Sequence, residues 1–322
     1  MTDFLIWVRG DRESGMGHVM REMRLAEELL ARHHTVTFEV LEGTPGYERV
    51  VSWLSHRKNV HINDYTRHPD AIILDVENGP GRAVLEDARR RFRRVIVVGG
   101  VGFPIHDQSA IDELVDLQIY QSVIVTNPIS CKNSVSGAEY VIIGKDYLTS
   151  RHVYGSQVFG NNILVVMGGG DPHGITGVVA NAAKMCQNGY GVHVVYGPAA
   201  NMVKTPPGVT TFLSPPSLSF SLSKARVAVT ALGMTTYEAA CIGVPTASVC
   251  WSEDHSRTAD ELERLGITTN LGMWDAPDWK KMQGFIERMH DEGEWRRMHE
   301  AGRKLVDGQG VRRVVDAVER IL

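Results

Sequence analysis

The chain has 322 residues, enough for one large domain or two of ordinary size, and its 43% hydrophobic and 22% charged content excludes a disordered protein. A formal charge of −4 gives no general pull toward nucleic acid or an anionic membrane. The apolar runs are strand-sized, short of the ~20 residues that a bilayer span needs. The first such run, residues 4–8, is also too short for a signal-peptide core. Cys131, Cys186, Cys241 and Cys250 show neither a Cys-x-x-Cys pair nor metal-ligand spacing, which predicts reduced thiols in a cytoplasmic protein.

The run 4–8 is followed by Arg9, Gly10 and Asp11, then Gly15, Gly17, His18 and Arg21, and then by an amphipathic stretch that predicts a helix over 20–32. Strand, glycine-rich turn and helix follow in that order. Gly15 and Gly17 let the backbone turn tightly and approach a ligand, and the helix start offers free N–H groups. A helix start disfavours a positively charged ring, which predicts a neutral His18 able to accept a proton. An ordinary turn with a surface histidine is the plain alternative. The dinucleotide fingerprint is absent, because Met20 stands where its third glycine would be.

Further strands are predicted at 35–40, 71–76, 95–98, 122–126 and 140–143, with helices over 82–93 and 110–116. Short apolar strands separated by helices predict a parallel sheet covered on both faces. Residues 145–162 are polar and without period, which predicts a linker. The alternation then restarts. Strands are expected at 163–167, 192–196, 210–213, 227–230 and 246–250, with helices between them and after them to the end of the chain. Two strand–helix series predict two doubly wound α/β domains, 1–150 and 151–322, with ligands outside the carboxyl ends of the strands in a central cleft.

The second series carries two candidate phosphate contacts. Gly168, Gly169, Gly170 and Asp171 follow one strand, and Gly233, Met234, Thr235 and Thr236 follow another and open a helix. Backbone N–H groups and the two threonine hydroxyls there suit a diphosphate without a metal. Glu238, one turn into the same helix, suits a ribose diol. Its plain alternative is a helix-start carboxylate favoured by the dipole. Glu253, Asp254 and His255 follow a later strand and suit a sugar, with a helix cap at Ser252 or Asp254 as the plain alternative. Arg89, Arg90, Arg91, Arg93 and Arg94 cluster at a helix end. A solvated face is the usual reason for such a run, and an anionic acceptor such as a lipid phosphate or a nucleic acid is the other.

The motif from Arg9 through Gly15, Gly17, His18 and Arg21 to Leu25 and Ala26 resembles that of the UDP-sugar hydrolases of the pseudaminic-acid pathway and the related spore-coat polysaccharide proteins. These are relatives, within the GT-B fold, of the transferase that adds N-acetylglucosamine in peptidoglycan synthesis. Ile143, Gly144, Tyr147 and Leu148 extend the resemblance, as do Met167 to Asp171, and Tyr196, Gly197, Pro198 and Asn201. It is most extended from Ala231 through Gly233, Tyr237, Glu238 and Ala239 to Gly243, Val244 and Pro245.

The resemblance implies a metal- and cofactor-independent GT-B enzyme acting on a UDP-like nucleotide sugar. Gly233 to Thr236 would hold the diphosphate, Glu238 the ribose, and Arg21 with residues 253–255 the sugar. His18 would be the general base for inverting attack at the anomeric carbon. Hydrolysis is the first expectation, glycosyl transfer the second, and a non-catalytic nucleotide-sugar binding protein the third. The chain departs from the hydrolases at three places. Gly99 and Gly100 stand where they usually carry an Asp-Asp pair, Asp254 and His255 where they carry Asn-Gln, and Asp75 to Asn78 where they carry Asp-x-Tyr. These departures bear on the acceptor and the sugar rather than on fold or donor.

Overall fold

A computed structural model describes the chain except for residues 12, 56, 77–78, 100–107, 125–132, 155–159 and 204. Gly100, Asn78 and Cys131 therefore lie outside the described residues. The chain divides into two compact units, Met1–Ile142 with Gln309–Leu322, and Ile143–Gly308.

The first unit is built on seven parallel strands: β1 (Asp3–Val8), β2 (Thr35–Glu39), β3 (Val60–Ile62), β4 (Ala71–Asp75), β5 (Arg94–Gly99), β6 (Leu117–Tyr120) and β7 (Ser134–Ser136). Their order is β3-β2-β1-β4-β5-β6-β7, all parallel. Alternation along each strand feeds two cores. Phe4, Ile6, Val8, Ile73 and Ile96 face one, against α1 (Gly17–Ala31) and α2 (Pro45–Leu54). Leu5, Ile72, Leu74, Val95 and Val97 face the other, against α3 (Arg82–Arg91) and α4 (Gln108–Leu114). Burial on both faces is why these strands read as continuous apolar runs.

The second unit repeats the plan with six parallel strands: β8 (Asn162–Val166), β9 (Gly191–Tyr196), β10 (Val209–Leu213), β11 (Val227–Ala231), β12 (Thr246–Cys250) and β13 (Thr268–Met273), in the order β10-β9-β8-β11-β12-β13. Its helices are α5 (Lys145–Tyr154), α6 (Thr176–Met185), α7 (Ser219–Ser223), α8 (Met234–Ile242), α9 (Glu253–Arg264), α10 (Trp279–Arg288) and α11 (Glu292–Leu305). Ile163, Val165, Val192, Val227 and Val249 pack with Val179, Phe285 and Trp295 in its core.

The structure moves the expected boundary from 150 to Ile142/Ile143 and makes much of the expected linker into α5. The last helix, α12 (Gly310–Glu319), belongs to the first unit, not the second. Its Val311, Val314, Val315 and Val318 join the core beneath α1, and Arg32 bonds Asp316 at 2.6 Å and Glu319 at 2.7 Å. The strand expected at 140–143 is a 3-10 turn and extended chain, and β6 replaces the one expected at 122–126, whose last two residues lie outside the described ones.

Candidate functional site

In both sheets the strand order reverses beside the first strand, between β1 and β4 and between β8 and β11. Crevices at the carboxyl ends of such strands are where doubly wound sheets bind ligands. The glycine-rich turns of both halves emerge at these two points.

In the first unit, Val8 closes β1 beside Asp75, which closes β4. The chain then passes through Gly10, whose carbonyl accepts the Gly46 N–H at 2.8 Å and where a Cβ would lie 2.9 Å from Gly46 Cα. Asp11 shapes the next turn by accepting from the N–H groups of Glu13 and Ser14. Gly15 takes φ +70°, a conformation costly for other residues, and Gly17 begins α1. This route places His18 over the end of β4. Its Nδ1 lies 2.7 Å from Asp75 Oδ1.

Arg21, one turn further along α1, donates through Nε to Asp75 Oδ2 at 2.9 Å and through Nη2 to Oδ1. Arg21 is 2% exposed and Asp75 is fully buried. The structure thus corrects the expectation that Arg21 meets a sugar: its guanidinium is committed to a buried ion pair. Burial opposes ionisation of Asp75, but the Arg21 charge, with the hydrogen bonds from His18 and Arg21, outweighs it and holds the carboxyl well below its usual range. An ionised carboxylate only accepts, so a proton on Nδ1 makes the short contact a hydrogen bond and leaves Nε2 as the acceptor nitrogen, although Arg21 Nη2 also lies 3.1 Å from Nδ1. Asp75, more than the helix start, decides which nitrogen handles the proton.

Glu22 is the unexpected member of this cluster. It is fully buried, and apart from the Asp75 carboxylate it faces, neither oxygen has a hydrogen-bond partner among the described residues. Burial, and then the negative charge of Asp75, push its pKa well above the ordinary carboxylate range, outweighing Arg21. These effects favour the neutral acid at Glu22. An acid with a raised folded value stabilises the fold at low pH and loses that contribution as pH rises from the unfolded carboxylate value through the folded one. Glu22→Gln keeps the shape and cannot ionise. Its melting temperature relative to wild type is expected to climb between pH 5 and 9, and a difference that stays flat would show that Glu22 does not titrate there.

In the second unit the two expected phosphate contacts part company. The loop Gly168–Asp171 turns at Gly168 (φ +82°) and packs Gly169 so closely on Gly197 that a Cβ at 197 would lie 2.4 Å from its Cα. The start of α6 is already occupied. Asp171 accepts from the Ile175 N–H at 3.0 Å, the Thr176 N–H at 3.1 Å and the Thr176 hydroxyl at 2.7 Å. A phosphate at that helix end would meet a carboxylate. Gly169 packs on Gly197, and Asp171 takes the helix-start donors that a phosphate there would need.

α8 differs. Gly233 caps it without a side chain, its first turn holds no acid, and a Cβ at Gly233 would meet nothing within 4 Å. The Thr236 N–H bonds the Gly233 carbonyl at 3.1 Å. The N–H groups of Met234 and Thr235, having no partner within a helix, remain the donors for an anion. Thr236 is a second correction. Its hydroxyl lies 3.0 Å from that of Thr230 and 3.4 Å from that of Ser248, within a buried hydroxyl network. Glu238 is 4% exposed, within α8.

Glu253, Asp254 and His255 begin α9, capped by Ser252, which accepts from the His255 N–H at 3.2 Å. His255 is buried, Glu253 is exposed, and Asp254 pairs with Arg257 at 3.5 Å. His173, past β8, stacks on Trp274 at 3.8 Å and lies 5.2 Å from Trp251. Sequence reasoning missed this aromatic group, although each member stands just beyond a strand. The arginine run closes α3, where cations are favoured. Arg89 pairs with Asp116 at 2.6 Å, and Arg90 and Arg91 each lie 3.2 Å from Asp87.

Two parallel-sheet Rossmann-like units of this order define the GT-B fold, which is the class to which the chain belongs structurally. Spinosyn rhamnosyltransferase SpnG, solved with thymidine diphosphate, matches with a TM-score of 0.66 at 14% identity over 99% of this chain and 100% of its own. MnaA of S. aureus, solved with UDP, matches with a TM-score of 0.65 at 14% identity over 99% and 96%. Spore coat polysaccharide biosynthesis protein SpsG of Bacillus subtilis (strain 168) is 24% identical over 96% of this chain and 95% of its own length. No family model matches the chain.

Proposed function

We infer that the protein is a GT-B glycosyltransferase that takes its sugar from a nucleoside-diphosphate donor. The observation that carries this is the His18–Asp75 pair at the strand-order reversal of the first sheet. His18 Nε2 removes the proton from an acceptor hydroxyl as that oxygen attacks the anomeric carbon from the face opposite the leaving diphosphate, so the configuration inverts. The α8 start, through Met234 and Thr235, receives the negative charge that grows on the diphosphate, and Glu238 takes the ribose. Transfer is preferred to the hydrolysis first expected, because the solved neighbour SpnG is by name a transferase and was captured with a nucleoside diphosphate. The likeness to SpsG supports a role in polysaccharide synthesis.

The test is incubation with a panel of nucleotide sugars, followed by NMR, with and without hydroxyl acceptors. Nucleotide release that depends on the acceptor is the expected result. Release of free sugar at the same rate without any acceptor would overturn transfer in favour of hydrolysis. For the donor half, UDP or thymidine diphosphate at 100 times its Kd is expected to stabilise the protein by about 2.7 kcal/mol. Glu238→Gln is expected to weaken that binding about tenfold or more, the loss of one charge-assisted acceptor. Unchanged affinity in this variant would remove the ribose role from Glu238.

A further inference from the structure

On the second unit, far along the chain from the loops described above, α11 carries Arg296, His299, Glu300, Arg303 and Lys304 at helical spacings that share one side. With Arg151 of α5 they line a cavity of about 320 Å³. Four of the six lining side chains are permanent cations and one is a carboxylate. No apolar side chain lines it, so the cavity is built for charge rather than for a hydrophobic ligand.

The two innermost arginines are held rigidly. Arg151 donates through Nη1 to the carbonyls of Cys241 and Val306 at 2.6 and 3.1 Å, and through Nη2 to that of Arg303 at 2.9 Å. Arg303 donates through Nη1 to the carbonyls of Arg151 and Ile242 at 3.0 and 3.2 Å. Among the described residues neither has a carboxylate partner. Each guanidinium has five N–H donors, so Nε and Nη2 of Arg303 and Nε of Arg151 remain uncommitted. Burial, and then the Arg151 charge, lower the basicity of Arg303. His299 gives or shares its Nδ1 proton with the Gly243 carbonyl at 2.7 Å.

Helix capping accounts for the carbonyl contacts, since Cys241 and Ile242 end α8. It does not account for the spare donors, or for Lys304 and Arg296 beside them. Arg296 is balanced in part by Glu292 at 3.0 Å, whereas Arg151 and Arg303 have no ion-pair partner among the described residues. Preorganised guanidiniums with free donors suit phosphate oxygens.

We propose that the cavity between α5 and α11 is a binding site for a phosphate-bearing small molecule, separate from the α8 start. The probe is inorganic pyrophosphate, titrated calorimetrically into the full chain with saturating UDP present, so that the α8 start is occupied. Binding is expected to persist under UDP. Arg296→Gln with Lys304→Gln, two exposed side chains that hold no backbone group, is expected to weaken it about tenfold, as two charges at about 0.2–1 kcal/mol each allow. Glu300→Gln, which removes the one negative lining group, is expected to tighten it about threefold on the same scale. Absence of pyrophosphate binding at millimolar concentration, complete displacement by UDP, or equal affinity in the wild type and the double variant would each overturn the proposal. Because UDP is first titrated into the same protein to reach saturation, failure of the cavity and failure of the donor site are told apart.

Discussion

Replacing His18 by asparagine is expected to lower turnover by roughly 10²–10⁴-fold, the usual contribution of a positioned general base. Asparagine is close in reach to the ring's near side, and its amide N–H₂ can still donate to the buried Asp75 carboxylate. The Arg21–Asp75 pair therefore keeps its surroundings, and the melting temperature is expected to change little. Affinity for nucleoside diphosphate is expected to stay the same, because α8 belongs to the other unit. A purely structural His18 predicts the reverse pattern, a lower melting temperature with turnover per folded molecule preserved. Unimpaired turnover in this variant would remove the base from the proposed mechanism and leave the fold and donor contacts standing.

How far such a site is legible in sequence depends on which interactions are local. His18 and the α8 start could be found because a strand, a glycine turn and a helix lie within about twenty residues of one another. The partner of His18 could not. Asp75 is 57 residues away, and only the register of β1 against β4 brings it beneath the ring. Arg21 shows the same blindness in another form, since its spacing from His18 is right for a shared ligand, and nothing local reveals that a buried carboxylate has taken the guanidinium. Thr236 was misjudged because a helix start exposes some side chains and turns others onto the sheet, where Thr230 and Ser248 wait.

The fold failed to show through where sequence signals are weak or ambiguous in their target. The strands β3 and β7 have three residues each and lie at the sheet edges, so little burial marks them. β13 carries Thr268, Thr269 and Asn270, too polar for an apolar run. α12 announces an apolar face through Val311, Val314, Val315 and Val318, but such a face says only that something covers it. That the cover is α1, after the chain has built an entire second unit, is a long-range fact. Gly310 permits the return, since a Cβ there would lie 2.0 Å from the Val141 carbonyl oxygen.

Asp75→Asn is expected to lower both turnover and stability. An asparagine amide facing Nδ1 can present N–H₂, which draws the ring into the tautomer with its proton on Nε2, where it no longer accepts one. In serine proteases with the same His–Asp arrangement, this exchange lowers turnover about 10⁴-fold with geometry intact. The fold pays as well, because Arg21 loses its buried counter-ion, a loss typically of about 3–5 kcal/mol when nothing replaces it. Here something can replace it. Glu22 lies 3.8 Å from Arg21 Nε, and with the Asp75 charge gone only burial, opposed by Arg21, still raises its pKa. Ionised Glu22 then neutralises Arg21, and the measured destabilisation is expected to fall below that range. Adding Glu22→Gln to Asp75→Asn is expected to restore the full penalty, although Glu22→Gln alone is tolerated. In turnover, Asp75→Asn combined with His18→Asn is expected to be no slower than His18→Asn alone, since the carboxylate acts only through the ring. A folded Asp75→Asn protein that kept more than a tenth of wild-type turnover would disprove the tautomer role of Asp75.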